Sequence, residues 1–451
     1  MRNVKAGFVG FGEVNTPAEI ISKKVGEAEE RLKGLGFDLV RTDPVSDDPH
    51  GREAKRAVRD LKREEFDLLV VCIAGWIPSW AVVRITAEFA DKPMLLWGLT
   101  GYMQGGRLVT TADQAGTTAL RKVFEDLGYR FKYVYESQGA EPKLKQIGSF
   151  AAAAKAESLL KQAKVGMMGY RDMKLYGTMF DGTSLKARTG LEVECFEMLE
   201  MVQRSEKLQP SEVDAVIREM EKNWHFEKKA QAQTLEKAAR YFLAVRDITA
   251  ERSYDAVSLI DVDGMKKLLE YPPAPIFMLL GEQLGVCTIP ENDALGAVTQ
   301  LFVKFICGQI APYFEFYEFF EDRMLMGVPD FVPSEVVEGK VKVFPTAFGG
   351  FAEGLLNVSK VKTGRITLSR LTAAGDRYSL HMITGEALEP RSWEEAGWQP
   401  PAPQLPSLEI LPDIPVEEFA QKVLSQHYIV AYGDITQELT DLCRLLDIGM
   451  Y

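Results

Sequence analysis

Short apolar runs alternate with amphipathic stretches over about the first 130 residues of the chain. The apolar runs have the length of strands, and the amphipathic stretches repeat their apolar positions at helical spacing. Strands that alternate with helices in this way are typical of βαβ crossovers and a parallel sheet. The predicted strands are Val4–Phe11, Leu68–Ile73 and Pro93–Trp97, and the predicted helices cover 17–34 and 114–127.

A second α/β pattern follows and ends near Gly308. It begins with a strand at 164–169, continues with a helix at 181–190 and a strand at 191–196, and then has helical stretches over 211–250. Two α/β layers are therefore expected to occupy about the first 300 residues.

The pattern beyond Gly308 is different, because short strand-like runs are separated by glycine and proline. A proline-rich stretch over 399–415 is predicted to lack regular structure. The chain is then expected to end with a helix, a strand and a helix that Asp434 caps. The strand-like runs are Tyr313–Phe320, Lys340–Phe344, Gly364–Leu371 and Tyr378–Ile383, and the closing elements are Val416–Leu424, Tyr428–Tyr432 and Asp434–Leu446.

The predicted fold class is therefore α/β, with two α/β domains followed by a mostly antiparallel β domain. The predicted boundaries give an N-terminal α/β domain over 1–163, a second α/β domain over 164–308 and a β-rich domain over 309–451.

The composition of the chain disfavours several classes of protein. Hydrophobic residues make up 46% and charged residues 26% of the chain, which is typical of a globular protein. A net charge of −12 disfavours nucleic acid as a partner. No apolar stretch is long enough for a membrane span, and the first residues lack the apolar core of a signal peptide, so a cytoplasmic protein is expected. The five cysteines contain no C-x-x-C pair and fit a reducing compartment.

Two common motifs are present only in part. Gly10-Phe-Gly12 follows a predicted strand, but Asn15 occupies the third glycine position of a dinucleotide-binding turn. Ser158 and Lys161 match S-x-x-K, but they lie on an amphipathic helix, where an exposed face is the simpler interpretation.

Glu291 and Asp293 are predicted to lie in the first turn of a helix that opens at Pro290. Acidic residues at a helix N-terminus are commonly there because they interact favourably with the helix dipole. The alternative is a pair of anionic ligands at a strand-to-helix junction.

Glu315 lies in an aromatic strand-like run, where alternation places it on one face with Tyr313, Tyr317 and Phe319. Glu318 is predicted on the opposite face with Phe314 and Phe316. A carboxylate among aromatic rings is costly unless a cation compensates for it, an arginine lies nearby, or the face is exposed to water.

Histidine is scarce, with four residues in the whole chain. His427 stands at the entry to a strand-like run, where a hydrogen-bonded structural histidine is the ordinary expectation. The other three have less suggestive surroundings: His50 lies in a polar loop, His225 between helices and His381 on a predicted β-domain strand.

Two carboxylates and one imidazole together would suit Mn²⁺ or Mg²⁺ better than zinc. Such a site can polarise a carbonyl and stabilise the cis-enediolate formed when a carbon-bound proton leaves. Carboxylates beside adjacent carbons could carry the proton between them. That reaction is an aldose–ketose isomerisation.

Several segments resemble the L-fucose and L-arabinose isomerase superfamily, in particular its L-fucose isomerase-like members, and the likeness spans most of the chain. Two segments carry most of the metal-site likeness, the motif Glu291-x-Asp293-x-x-Gly296-Ala297 and the C-terminal segment His427–Asp434. The others are 169–173, 180–185, 190–193 and the stretch from Gly308 to Glu315.

The resemblance implies a fold of two Rossmann-like α/β domains followed by a mostly antiparallel, β-barrel-like C-terminal domain. It implies that Glu291, Glu315 and His427 bind the metal and that the two glutamates are the acid/base pair. It also implies homo-trimers or homo-hexamers with active sites near subunit interfaces, where Trp76 or Trp80 would correspond to an aromatic residue that reaches the neighbouring subunit's site. Glu315 stands where the fucose enzymes usually have aspartate.

The substrate implied by the resemblance is a sugar, but segments 258–264 and 272–275 differ from the substrate side of fucose isomerases. Sulfoquinovose isomerases belong to the same superfamily, so a sulfonated sugar is an alternative, with Arg171 as a candidate contact. A non-catalytic sugar-binding protein and a metal-dependent epimerase or lyase are further alternatives.

Overall fold

The computed structural model describes residues 2–347, 352–390 and 406–451. The chain divides into two compact units, residues 1–158 and 159–451. The finer domain boundaries at 163 and 308 stay a prediction.

The first unit is built on a five-stranded parallel sheet with the order β2-β1-β3-β4-β7. All residues of β3 and β4 are buried, as expected for the continuous apolar runs of parallel strands. A short hairpin, β5–β6, follows β4. The strands are β1 (Lys5–Phe11), β2 (Asp38–Arg41), β3 (Leu68–Ile73), β4 (Met94–Gly98), β5 (Tyr102–Gln104), β6 (Arg107–Val109) and β7 (Phe131–Tyr135). The helices are α1 (Ala18–Gly34), α2 (Arg52–Leu61), α3 (Ser79–Thr86), α4 (Asp113–Asp126) and α5 (Leu144–Leu160), the last of which extends two residues into the second unit.

The second unit contains a four-stranded parallel sheet with the order β12-β11-β8-β9. This sheet and the first one confirm the parallel βαβ pattern that the sequence predicts. The strands are β8 (Lys164–Met168), β9 (Glu192–Phe196), β11 (Ala256–Leu259) and β12 (Cys287–Ile289), and β10 (His225–Phe226) pairs elsewhere, with β15. The helices are α6 (Gly182–Thr189), α7 (Met198–Ser205), α8 (Pro210–Asn223), α9 (Ala232–Arg252), α10 (Ala274–Leu284) and α11 (Ala294–Cys307).

A closed barrel of six antiparallel strands lies in the same unit, in the order β17-β20-β13-β14-β19-β18 and back to β17. Its strands are β13 (Tyr313–Phe319), β14 (Met324–Gly327), β17 (Gly364–Ala374), β18 (Arg377–Leu388), β19 (Ser407–Pro412) and β20 (His427–Tyr432). The remaining elements are β15 (Lys342–Ala347) and β16 (Glu353–Asn357), which pair with each other, β21 (Gly449–Met450), α12 (Val416–Ala420) and α13 (Thr436–Leu445).

Two helix-end predictions at the C-terminus need correction. α12 ends at Ala420, four residues earlier than predicted, and α13 begins at Thr436. The Asp434 carboxylate accepts hydrogen bonds from the backbone N–H and the hydroxyl of Thr436, so it stabilises the turn before α13 instead of occupying the N-cap position.

The prediction that 399–415 lacks regular structure is wrong for its second half. β19 occupies 407–412 and pairs with both β14 and β18. Its first four residues are buried and carry backbone N–H groups that a proline would lack, while Pro406 and Pro412 lie just before and at the end of the strand. Residues 399–405 lie outside the described residues.

The predicted alternation along β13 is wrong beyond Phe316, because a β-bulge shifts the register between Phe316 and Glu318. Phe319, predicted beside Glu315, lies on the side of Phe316 instead, with ring centroids 5.5 Å apart. Glu318 is exposed. The bulge lies after Glu315, so the strand face of this glutamate is unaffected.

Among the described residues, no helix has the length and apolar character that crossing a membrane requires. All five cysteines are described, and each is an unpaired thiol.

Candidate metal centre

Glu291, Glu315 and His427 converge in the second unit from three different elements. Glu291 lies in the turn between β12 and α11, Glu315 lies on β13, and His427 is the first residue of β20. One potential ligand atom from each residue lies within 4.8 Å of the other two. Within the described ranges of the chain, this is the one group of three or more histidine, cysteine or acidic side chains with such spacing.

The barrel register explains why two of the three residues meet. β13 and β20 are antiparallel, and Glu315 is directly opposite His427. Side chains directly opposite on neighbouring strands point to the same face, which brings Oε1 of Glu315 to 3.2 Å from Nε2 of His427. Oε2 of Glu291 lies 3.5 Å from the same nitrogen.

The turn that carries Glu291 has an unusual backbone. Glu291 and Asn292 have φ values of 63° and 54°, a left-handed conformation that costs a non-glycine residue roughly 1–3 kcal/mol. Two side-chain contacts hold the turn: Asp261 accepts the N–H of Glu291 at 2.8 Å, and the Asn292 amide donates to the carbonyl of Met168 at 2.8 Å.

The helix after this turn begins later than predicted. α11 starts at Ala294, and Asp293 is its N-cap, with Oδ1 accepting the N–H of Gly296 at 2.9 Å. Glu291 therefore precedes the helix and is not in its first turn. The left-handed backbone at Glu291 and Asn292 is incompatible with a helix that begins at Pro290.

Asp293 connects the helix to the metal-site histidine. Its Oδ2 lies 2.9 Å from Nδ1 of His427, and the buried guanidinium of Arg370 donates to both of its carboxylate oxygens at 2.5 and 2.9 Å. This network makes Nδ1 of His427 the donor to Asp293 and directs Nε2 towards Glu291 and Glu315, where a bound cation would replace the Nε2 proton.

Position 296, the glycine of the Glu291-x-Asp293-x-x-Gly296 motif, has no room for a side chain. A methyl group at position 296 would lie 2.6 Å from Oδ2 of Asp293 and 2.8 Å from a guanidinium nitrogen of Arg370. Any larger residue would displace the Arg370–Asp293 pair, which in turn holds His427.

The electrostatics favour a bound cation. Burial raises the pKa of Glu291 to about 8 against the opposing effect of His427, and Asp261 and Glu315 add smaller increases. For His427, burial lowers the pKa, but hydrogen bonds to Asp293 and Glu315 outweigh it and raise the pKa to about 10. Burial raises the pKa of Asp293, but Arg370 and His427 together outweigh burial and hold this pKa well below the usual range.

Carboxylates are in excess around the centre. The acidic residues around the centre outnumber the permanently charged basic residues, and a divalent cation would compensate for the difference. The donor set of two carboxylates and one imidazole suits Mn²⁺ or Mg²⁺. The acidic side chains are Asp261, Glu291, Asp293, Glu315 and Asp330, and the basic ones are Lys266 and Arg370.

The other candidate contacts are not part of this group of three side chains. The guanidinium of Arg171 is engaged in its own loop, where it donates to the carbonyls of Lys174 and Leu175 and lies 4.4 Å from the ring centre of Tyr176. Trp76 and Trp80 belong to the first unit and are 38% and 48% exposed. Their roles in substrate binding stay predictions.

Sequence reasoning missed the residues that support the centre. Arg370 offered one signal, because it alternates with the apolar Ile366 and Leu368 along one face of a strand-like run. Gln426, whose amide donates to Oε2 of Glu291 at 2.7 Å, gave no signal. Asp261, Lys266 and Asp330 are buried and charged, and nothing in their spacing along the chain indicates that they meet.

Comparisons with known proteins give distant relatives. The chain is 20% identical over 461 residues to the sulfoquinovose isomerases of Priestia aryabhattai and Priestia megaterium, with 99% of this chain and 99% of each relative covered. It is 23% identical over 257 residues to the L-arabinose isomerase of Shouchella clausii, with 54% of this chain and 51% of that protein covered.

No family model matches the chain. A periplasmic solute-binding protein of an ABC transporter from Actinobacillus succinogenes, solved with bound D-allose, matches at a TM-score of 0.18 with 16% identity, over 67% of this chain and 92% of that one. That score is too low to support an argument. The curated relatives are sugar isomerases, and the narrower likeness to L-fucose isomerase-like proteins stays a prediction.

Proposed function

We propose that the protein is a divalent-metal-dependent aldose–ketose isomerase whose metal ligands are Glu291, Glu315 and His427. The observation that carries the proposal is the convergence of these three side chains, which come from distant parts of the chain. The sugar isomerase names of the curated relatives support the reaction class.

A divalent cation, when bound, would polarise the sugar carbonyl and stabilise the charge that develops on the enediolate oxygens. The chain's own groups would move the proton between C1 and C2 of the sugar. Glu291 is suited to this task because its carboxylate is held at the centre, with Oε2 3.5 Å from Nε2 of His427. Glu315 is the opposing carboxylate of the proposed pair.

His427 has a different role in this mechanism. Its Nδ1–H donates to Asp293, so its ring is fixed, and a metal ion would bind Nε2 in place of the proton there. His427 holds the metal and does not transfer the proton.

The leading substrate class is an aldose, and a sulfonated aldose is the alternative. The specific observation that favours the alternative is the match to two sulfoquinovose isomerases over 99% of the chain. Turnover of sulfoquinovose, L-fucose and L-arabinose by the purified protein would be compared in parallel. The sugar with the highest kcat/KM identifies the class.

Replacing one acid/base residue tests the reaction. Glu291→Gln should lower turnover at least about 100-fold, because the amide cannot transfer the proton and is a weaker metal ligand. NMR in D₂O follows deuterium at C1 and C2 of the product. Glu318→Gln is the matched control, because Glu318 lies on the same strand as Glu315, is exposed and should leave turnover unchanged.

Three results would overturn the proposal. The first is unchanged isomerisation by Glu291→Gln, and the second is no response of the wild-type protein to added Mn²⁺ or Mg²⁺. The third is tight sugar binding without turnover, which would favour a non-catalytic binding protein. A product other than the ketose would instead indicate an epimerase or a lyase.

The proposal includes the oligomeric state of the protein. A homo-trimer or homo-hexamer with Trp76 or Trp80 near a neighbouring subunit's site would be consistent with the resemblance. Sedimentation of the wild-type protein measures the assembly, and the KM values of Trp76→Ala and Trp80→Ala test the contact.

A further inference from the structure

The segment after β11 forms a buried π-helical turn, Asp261–Lys266, next to the candidate metal centre. Single π-helical turns are frequent at functional sites. The Asp172 carboxylate holds the start of the turn by accepting the N–H groups of Val262 and Asp263 at 2.7 Å each. Asp261 and Lys266, its first and last residues, are 1% and 2% exposed.

A buried lysine is costly unless its charge is compensated. Nζ of Lys266 lies 3.0 Å from Oδ2 of Asp261 and 3.4 Å from Oδ2 of Asp330. Asp330 accepts a hydrogen bond from the Tyr313 hydroxyl at 3.0 Å, and the Tyr313 ring packs edge-on against His427 with centroids 4.9 Å apart. Lys266, Asp261 and Asp330 thus form an ion cluster. Through Tyr313, the Asp330 side of this cluster supports His427.

The other side of the cluster supports Glu291. Oδ1 of Asp261 accepts the N–H of Glu291 at 2.8 Å, while its second oxygen binds Lys266. Glu291 has the left-handed backbone, which persists only where the surroundings hold it. Asp261 can hold that N–H in a fixed position because Lys266 fixes Asp261.

We infer that Lys266 and Asp261 are positioning residues that hold the strained turn at Glu291 and so aim its carboxylate at the metal centre. The inference rests on the proposed function. Neither residue is among the three proposed metal ligands, and both act through Glu291.

This role can be separated from a simple charge effect. Lys266 is a cation close to a cation site, so its removal would strengthen Mn²⁺ binding if charge alone mattered. If Lys266 positions Glu291, its removal weakens binding, because the turn can relax and Glu291 is no longer held. The two roles predict opposite signs.

The first experiment measures Mn²⁺ affinity of the full chain by calorimetry. Lys266→Met should weaken binding about 10- to 100-fold, the usual effect of losing a group that orients a metal ligand. Lys267→Met is the matched control, because Lys267 is the next residue, forms an exposed ion pair with Asp263 at 2.6 Å and should leave the affinity unchanged. Equal or tighter binding by Lys266→Met overturns the inference.

A second pair of variants covers the case in which Lys266→Met does not fold. Asp261→Ala removes the acceptor for the Glu291 N–H and should weaken Mn²⁺ binding strongly. Asp261→Asn keeps an acceptor oxygen there, so it should retain more of the affinity. Wild-type affinity in Asp261→Ala overturns the inference.

Crystal structures of the same variants separate this inference from the proposed function. A wild-type protein that binds no Mn²⁺ removes the proposed function, but the backbone at Glu291 can still be measured. A change of φ at Glu291 out of the left-handed region in Asp261→Ala supports the positioning role. An unchanged turn overturns it.

Discussion

At the scale of single residues, the centre depends on contacts that keep buried charges paired. His427 has its ring fixed by Asp293, and Asp293 is in turn held by the buried Arg370. Breaking a buried pair by removing one partner leaves an uncompensated charge, which typically costs 3–5 kcal/mol. An exposed pair of the same type is worth about 1 kcal/mol or less.

Asp293→Asn should therefore reduce the free energy of unfolding by about 3 kcal/mol and weaken Mn²⁺ binding about 10- to 100-fold. Urea unfolding and calorimetry measure the two effects. Asp413→Asn is the control, because its partner Arg365 lies on β17, the same strand as Arg370, but the Asp413 pair is exposed. Similar losses in both variants would contradict this account of the network.

At the scale of elements, the barrel strands bury a second histidine, His381. His381 on β18 lies with Nδ1 2.7 Å from the hydroxyl of Tyr428 on β20, and its ring stacks on Phe419 at 5.3 Å. Burial, with a smaller contribution from Lys422, lowers the pKa of His381 to about 4. The histidine is therefore neutral in the folded barrel at neutral pH.

The stability of the barrel should fall between pH 6.5 and 4. In that range the unfolded chain takes up a proton at His381 and the folded chain does not, so acid favours unfolding. The contribution of neutral His381 to the free energy of unfolding is complete above about pH 6.5, and it decreases by up to about 3 kcal/mol by pH 4. Urea unfolding across this range should give a flatter profile for His381→Gln than for the wild type, while His225→Gln, at an exposed histidine, keeps the wild-type slope. Equal slopes for wild type and His381→Gln would contradict the assignment.

At the scale of the whole molecule, the three proposed ligands belong to the unit of residues 159–451 and join its parallel-sheet region to its barrel. A ligand that binds only the folded state stabilises it by mass action, by about 2.7 kcal/mol at a concentration 100 times its Kd. Hydrogen exchange followed by mass spectrometry should therefore show added protection with Mn²⁺ around Glu291, Glu315 and His427. Glu291→Gln should lose this effect, and protection that persists in it would place the ion elsewhere.

Most of the local structure follows from the pattern of residues along the chain. Periodicity gave the parallel strands and the helices, because these patterns report which side of each element faces a core. Periodicity did not predict the short strand β19, because prolines flank it. It also gave the wrong strand faces beyond Phe316, because a bulge breaks the alternation there. Neither feature has a reliable local signal.

The three candidate ligands were also named from the sequence, through the resemblance to the sugar isomerase superfamily. Their convergence is a property of the folded chain. Asp293 and His427 are 134 residues apart in the chain, and Arg370 reaches Asp293 across 77 residues. Local patterns specify burial and element type, whereas the pairing of buried charges depends on barrel register and on a left-handed turn. Those are set by contacts between distant segments.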